Sequence, residues 1–240
     1  MFENRSYRSR ALKQGLFPFS ITVKETNLHI QADLDLTEAA TRAVLRCRGY
    51  VESYIRNKPE FAASFEPVAE DPFAPAVVKD MIHAGRNAGT GPMAAIAGAI
   101  SEYTGKKLLE HTSEVIVENG GDAFIRSNTD TVFTIHAGKS QLSMKTGLLV
   151  KKREEPFALC TSSGTMGHSK SFGRADAVTV LSGSASLADA AATGLGNLVR
   201  KETDIEKVIE KGKAIRDVAG LAIIKGKHIG LWGDLRIVKL

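Results

Sequence analysis

Asp189 and Thr193 stand one helical turn apart in Ser186-Leu-Ala-Asp-Ala-Ala-Ala-Thr-Gly194, a helix-like stretch that follows an inferred strand, Ala177 to Leu181, and a Ser/Gly turn. Residues at i and i+4 of a helix present Cβ atoms about 5–6 Å apart on one face, so this carboxylate and hydroxyl are spaced to share one hard cation. Their neighbours are small. Alanines together with Gly194 and Gly196 bring backbone close to whatever lies opposite, which means tight packing or a ligand. The same pattern also suits an Asp that caps a neighbouring backbone and a Thr that bonds its own turn, and the helix alone leaves both readings open.

Two further segments carry chemistry-bearing residues. Glu118-Asn-Gly-Gly-Asp122 joins two expected strands and is first a hairpin signal, because Asn-Gly-Gly tolerates positive φ. Its bare backbone at Gly120 and Gly121 also lets a ring or phosphate approach, with Asn119 and Asp122 supplying polar edges. Thr161 to Gly173 places Ser163, Gly164, His168 and Lys170 between two strands. Amides, hydroxyls, an imidazole and an ammonium there suit phosphate binding or proton transfer, and His168 is the candidate acid/base. Gly138-Lys139-Ser140 lacks the earlier glycine of a P-loop, since Phe133 takes that place. Gly85 to Gly91 follows a helix rather than a strand, so it is no dinucleotide fingerprint, yet Gly91 leads into a helix start that suits an anion. No Gly-x-Ser-x-Gly elbow occurs, and no two of the six histidines share metal-ligand spacing on one helix.

Composition removes several classes. With 43% hydrophobic and 25% charged residues in 240, the chain is an ordinary globular one, neither disordered nor a disulfide scaffold. Lys and Arg number 32 against 27 acids, and the one basic cluster, Arg5, Arg8, Arg10 and Lys13, reads as a solvated arm. Only 6% is aromatic and no basic-aromatic stripe is visible, which argues against nucleic acid as a partner. Cys47 and Cys160 are far apart and read as reduced core thiols. No apolar signal core and no run near the ~20 residues that span a bilayer occur, so no membrane and a cytoplasmic location are expected.

The elements that must hold these residues come in blocks. Phe19 to Val23 and Leu28 to Ala32 predict a hairpin, and Ala39 to Ile55 an amphipathic helix capped by Asp35 or Thr37 and stopped by Pro59. Glu60 to Pro75 reads as loop. Helices are expected over Ala76–Arg86 and Pro92–Tyr103, then strands over Val115–Val117, Ala123–Ile125, Thr131–Ile135, Leu142–Val150 and Phe157–Thr161. After the Asp189 helix come a helix from Asp204 to Val218 and three closing strands, Leu221–Ile224, His228–Trp232 and Arg236–Val238. Blocks of helices and strands predict an α+β fold of mixed or antiparallel sheets packed with helices. The whole chain, residues 1–240, reads as one domain with room for two interleaved subdomains.

Three segments, in order, resemble the ApbE superfamily, whose members include FAD:protein FMN transferases. They are Gly91-Pro-Met-Ala-Ala-Ile-Ala-Gly98, Val117-Glu-Asn-Gly-Gly-Asp122, and Ala177-Val-Thr-Val180 followed by Leu187-Ala-Asp-Ala-Ala-Ala-Thr193. The resemblance spans roughly residues 85 to 200. It implies Mg²⁺ on Asp189 and Thr193, a flavin (FAD) or related diphosphate against Gly91, Gly98, Asn119, Gly120, Gly121, Asp122, Ser163 and Gly164, and FMN transfer to a hydroxyl of an acceptor protein. Ala97 stands where the family usually carries Lys, and the stretch from Gly164 to Asp176 is shorter than the family's His-bearing segment, with His168 in the place of that His. The pattern is similar to a shorter branch of the superfamily. A non-catalytic ligand-binding or assembly protein, homo-oligomeric or not, and a diphosphate hydrolase using water as acceptor are the alternatives.

Overall fold

The computed structural model describes residues 13–164 and 173–240. Strands β1 (Phe17–Val23) and β2 (Thr26–Ala32) form the expected hairpin and lead into α1 (Thr37–Asn57). Residues 60 to 75 are not all loop: a short helix α2 (Glu60–Ala63) buries Phe61. Next come α3 (Ala76–Ala88), a 3₁₀ turn (Pro92–Ala95) and α4 (Ile96–Leu108). Then follow β3 (Val115–Asn119), β4 (Asp122–Arg126), β5 (Thr131–Thr134), β6 (Thr146–Val150), β7 (Phe157–Ser162) and β8 (Ala177–Ser182). The chain ends with α5 (Ala185–Gly196), α6 (Ile205–Lys213), β9 (Val218–Lys225), β10 (His228–Gly233) and β11 (Arg236–Lys239).

The fold is α+β. Eight strands form one antiparallel sheet in the order β1-β2-β3-β4-β7-β8-β9-β10, and β11-β6-β5 form a second. The strands from residue 115 to 162 therefore do not make a single sheet. Because β4 pairs directly with β7, Ile125 opposite Phe157, the chain between them leaves as an excursion and builds the small sheet, burying Leu148 and Val150 against the large one. Period-two alternation then gives the large sheet two apolar faces. Val117, Phe124, Ala158 and Val180 join the core under the helices, while Ile116, Ile125, Leu159 and Leu181 join the core between the sheets.

Three local boundaries differ from the sequence pattern. Neither Asp35 nor Thr37 caps α1 by side chain; Asp35 Oδ1 instead accepts from the Thr37 amide at 2.9 Å, closing a tight turn across Leu36. The sixth strand starts at Thr146 because Met144 adopts φ 60°, which breaks extended backbone. The helix α6 stops at Lys213, and Asp217 at φ 67° turns the chain into β9. Among the described residues, no helix is long and apolar enough to cross a membrane.

Candidate functional site

Helices α4 and α5 cross where Gly98 meets Ala185 and Asp189. A Cβ on Gly98 would run into the Ala185 carbonyl and lie 2.9 Å from Asp189 Cβ, so only glycine permits this approach. Asp189 uses it: its Oδ2 accepts from the Gly98 amide at 2.9 Å, and the Ala97 amide is directed at the same carboxylate. These are donors that the first turn of a helix leaves unpaired, so a carboxylate is well placed there. Gly194, further along α5, would with a Cβ come within 2.7 Å of the Ala88 carbonyl, so the small residues of α5 serve close helix packing on both α3 and α4.

The β3–β4 turn reaches the same place from the sheet. Gly120 and Gly121 take φ values of 70° and 111°, and Asn119 pairs with Asp122, a two-residue hairpin of the kind that Asn-Gly-Gly favours. Asn119 Nδ2 donates to the Ala97 carbonyl at 3.1 Å, and the Gly121 amide donates to Glu118 Oε1 at 2.8 Å. Alternation along β4 turns Asp122 toward the helices, where it is buried at 8% exposure opposite Cys160. Its carboxyl lies against the Cys160 thiol, and the neighbouring Thr161 amide donates to the Gly121 carbonyl at 3.2 Å. Cys160 Sγ in turn lies 3.6 Å from the Ala185 carbonyl.

Two carboxyl groups from different elements thus share one desolvated place, and their acidities follow. Burial pushes Asp189 up to about 7 against the opposing pull of the Gly98 and Ala97 amides. Burial, then the charges of Asp189 and Glu118, hold Asp122 well above the usual carboxylate range. The Cys160 thiol is pushed up by burial and next by Asp122. A site of this kind favours an added positive charge.

Among the described residues, no cluster of three or more His, Cys, Asp or Glu side chains could hold a metal ion. The donor pair expected from the sequence is oxygen only: the Asp189 carboxylate and, one turn on along α5, the Thr193 hydroxyl. That set fits Mg²⁺, which takes few protein ligands and completes its shell with water and phosphate oxygens, and it does not fit a thiolate or imidazole metal.

The remaining sequence candidates fall into three situations. Gly91 donates its amide to the Phe65 carbonyl at 2.8 Å and packs against Ser64, leaving no room for a side chain. Ser163 and Gly164 lead out of β7, and the Gly164 amide donates to the Ala175 carbonyl at 2.9 Å. A Cβ on Gly173 would lie 2.7 Å from the Gly196 carbonyl carbon, so the ends of this stretch, Gly164 and Gly173, seat near the last turn of α5 beyond Thr193. His168 and Lys170 lie outside the described residues.

Sequence reasoning did not anticipate a cavity of about 500 Å³ between the two sheets. Its walls include Ile116 and Leu159 on the large sheet and Phe133 on the small one, with Gln31, Glu118 and Thr161 at polar positions. Thr161 Oγ1 lies 2.9 Å from Thr179 Oγ1 in the same wall. The volume is in the range of small-molecule sites, and Gly121 belongs to its lining, so the Asn119–Asp122 turn borders both the cavity and the carboxyl pair. The alternation of β7 gave a signal for Thr161, but the split into two sheets that opens the space did not show in the sequence.

The fold has counterparts in known proteins. The protein family described as "AbpE bacteria" matches residues 9–236. The chain belongs to this family. Among relatives by sequence, the UPF0280 protein of Methanococcus aeolicus is 39% identical over 221 residues, covering 90% of this chain and 89% of that protein. The UPF0280 protein of Methanosarcina barkeri is 41% identical over 217 residues, covering 89% and 85%. Among solved structures, a mutant of the flavin transferase ApbE from Vibrio cholerae superposes with a TM-score of 0.59 at 13% identity, over 91% of this chain and 97% of that one. The ApbE protein of Thermotoga maritima gives 0.56 at 15% identity, over 90% and 96%. The family and the fold are therefore ApbE-like.

Proposed function

We propose that this family member binds FAD or a closely related diphosphate together with Mg²⁺ and transfers FMN to a hydroxyl of an acceptor protein. The observation that carries the reading is the pair formed by buried Asp122 and half-buried Asp189 at the amide end of α4. Two carboxyl groups raised by burial gain most from a cation brought in by a diphosphate. The ApbE-like fold, seen in a flavin transferase, supports the ligand class.

In this reading Asp189 and Thr193 hold Mg²⁺, with a main-chain carbonyl from the α4 start. The bound ion would neutralise diphosphate charge and polarise the reacting phosphorus. Gly120 and Gly121 let the phosphates approach the turn, and the cavity between the sheets takes a ring of the ligand. The acceptor oxygen attacks the FMN-side phosphorus, the P–O bond to AMP breaks, and the acceptor proton passes to a base, for which His168 is the candidate. The place of work is the cytoplasm.

Isothermal titration with FAD, with and without Mg²⁺, on wild type and Asp189→Ala tests the reading. Mg²⁺-dependent binding lost in the variant is expected, and absence of binding in every condition refutes it. Mass spectrometry of a Thr-containing acceptor peptide after incubation separates the activities. FMN-modified peptide marks transfer, AMP and FMN released without acceptor mark hydrolysis, and binding alone marks a non-catalytic protein.

A further inference from the structure

Glu102 is a buried carboxylate that the reaction outlined above does not use. It sits on α4, one turn beyond Gly98, and the residue is 7% exposed. Its Oε2 accepts from the Ala185 amide at 2.7 Å, the Ser186 amide at 3.2 Å and the Ser184 hydroxyl at 3.1 Å. Its Oε1 takes Lys106 Nζ at 2.7 Å. The Ser184 hydroxyl oxygen then accepts from the Leu187 amide at 3.3 Å, so the unpaired amides of the first turn of α5 are met.

The arrangement is reciprocal. Helix α4 sends Glu102 to the amide end of α5, and α5 sends Asp189 to the amide end of α4 at Gly98. Each helix supplies the other's N-terminal carboxylate, and both bonds sit at a crossing where Gly98 leaves no slack. A helix moves as a rigid body over a turn or two, so fixing the start of α5 fixes where Asp189 stands one turn later.

We propose that Glu102 is a positioning residue for the candidate metal centre: by holding the start of α5 on α4, it sets the register in which Asp189 meets Gly98. The proposal rests on the Mg²⁺ reading for its functional consequence, but not for its geometry. It also assigns the amide end of α5 to Glu102, so a ligand phosphate is not received there.

Glu102→Gln keeps size and one acceptor while removing the charge, and Glu102→Asp keeps the charge on a shorter arm. Amide hydrogen exchange by NMR on the metal-free protein is expected to show the Gly98 amide exchanging at least tenfold faster in Glu102→Gln, together with Ala185 and Ser186. If Ala185 and Ser186 lose protection while Gly98 does not change, Glu102 is only a cap and the proposal falls. In the second arm, the Mg²⁺ dependence of FAD binding weakens at least tenfold in Glu102→Gln and by less in Glu102→Asp, which keeps the charge. An unchanged Mg²⁺ dependence in Glu102→Gln overturns the proposal. Should wild type bind no Mg²⁺ and FAD, the proposed function fails and the exchange arm alone decides the role of Glu102.

Discussion

Removing the Asp189 charge should stabilise the metal-free protein, and by an amount that grows with pH. Burial pushes the Asp189 carboxyl up to about 7 in the fold, against 3.8 for the free side chain. The folded state therefore holds its proton more tightly than the unfolded state, so the stability it contributes is complete below pH ~4 and is lost as pH rises through ~7. At about 1.4 kcal/mol per unit the ceiling is ~4 kcal/mol; the partial exposure of Asp189 reduces this to roughly 1–3 kcal/mol. Asparagine is nearly isosteric and its oxygen still accepts from the Gly98 amide. Asp189→Asn in a chelator should thus melt within a degree or two of wild type near pH 4.5 and about 2–12 °C higher at pH 8, using 2–4 °C per kcal/mol for a chain of this length. Calorimetry at both pH values checks it. Adding Mg²⁺ and FAD should raise the wild-type Tm and not that of the variant. An equal or lower Tm for the variant at pH 8 without metal would refute the idea that the site is short of positive charge.

Gly98→Ala forces a methyl against the Ala185 carbonyl and within 2.9 Å of Asp189 Cβ, so α4 and α5 must separate; a loss of about 1–3 kcal/mol in urea unfolding is expected. Cys47 is buried with its thiol pushed up to about 12, and Cys160 is buried with its thiol raised as well. A thiol reagent should label neither in the native protein at pH 8 and both in denaturant. Ala123→Leu fills part of the space between the sheets with a larger apolar side chain, so it should weaken FAD binding at least tenfold in titration while leaving Tm unchanged or higher.

Much of the local geometry of the candidate site was legible because it depends on a few neighbouring residues. The Asn-Gly-Gly turn declares its positive φ values, and the i, i+4 spacing of Asp189 and Thr193 follows from helical period alone. The alanine-rich α5 was ambiguous between packing and ligand, and its glycine and alanine contacts with α3 and α4 show that close packing accounts for much of it. Gly98 is informative in the same way: its smallness serves a helix crossing, and the amide it exposes serves Asp189. The cavity between the sheets was not legible, because β5 and β6 alternate like any other strands and nothing local says that they leave the large sheet. Glu102 was also missed, since a Glu inside a helix reads as solvated until its partner is known.

The order of helices and strands, the hairpin turn and the spacing of the candidate ligands were determined by the sequence itself, because each depends on backbone preference or on a period within a few residues. Only the tertiary structure decided that Asp122 and Asp189 share one buried place, that Glu102 and Asp189 cap each other's helices, and that a second sheet encloses a cavity beside the Gly-Gly turn. Those depend on pairings between residues distant in the chain, and on the desolvation that such pairings create, which no local pattern encodes.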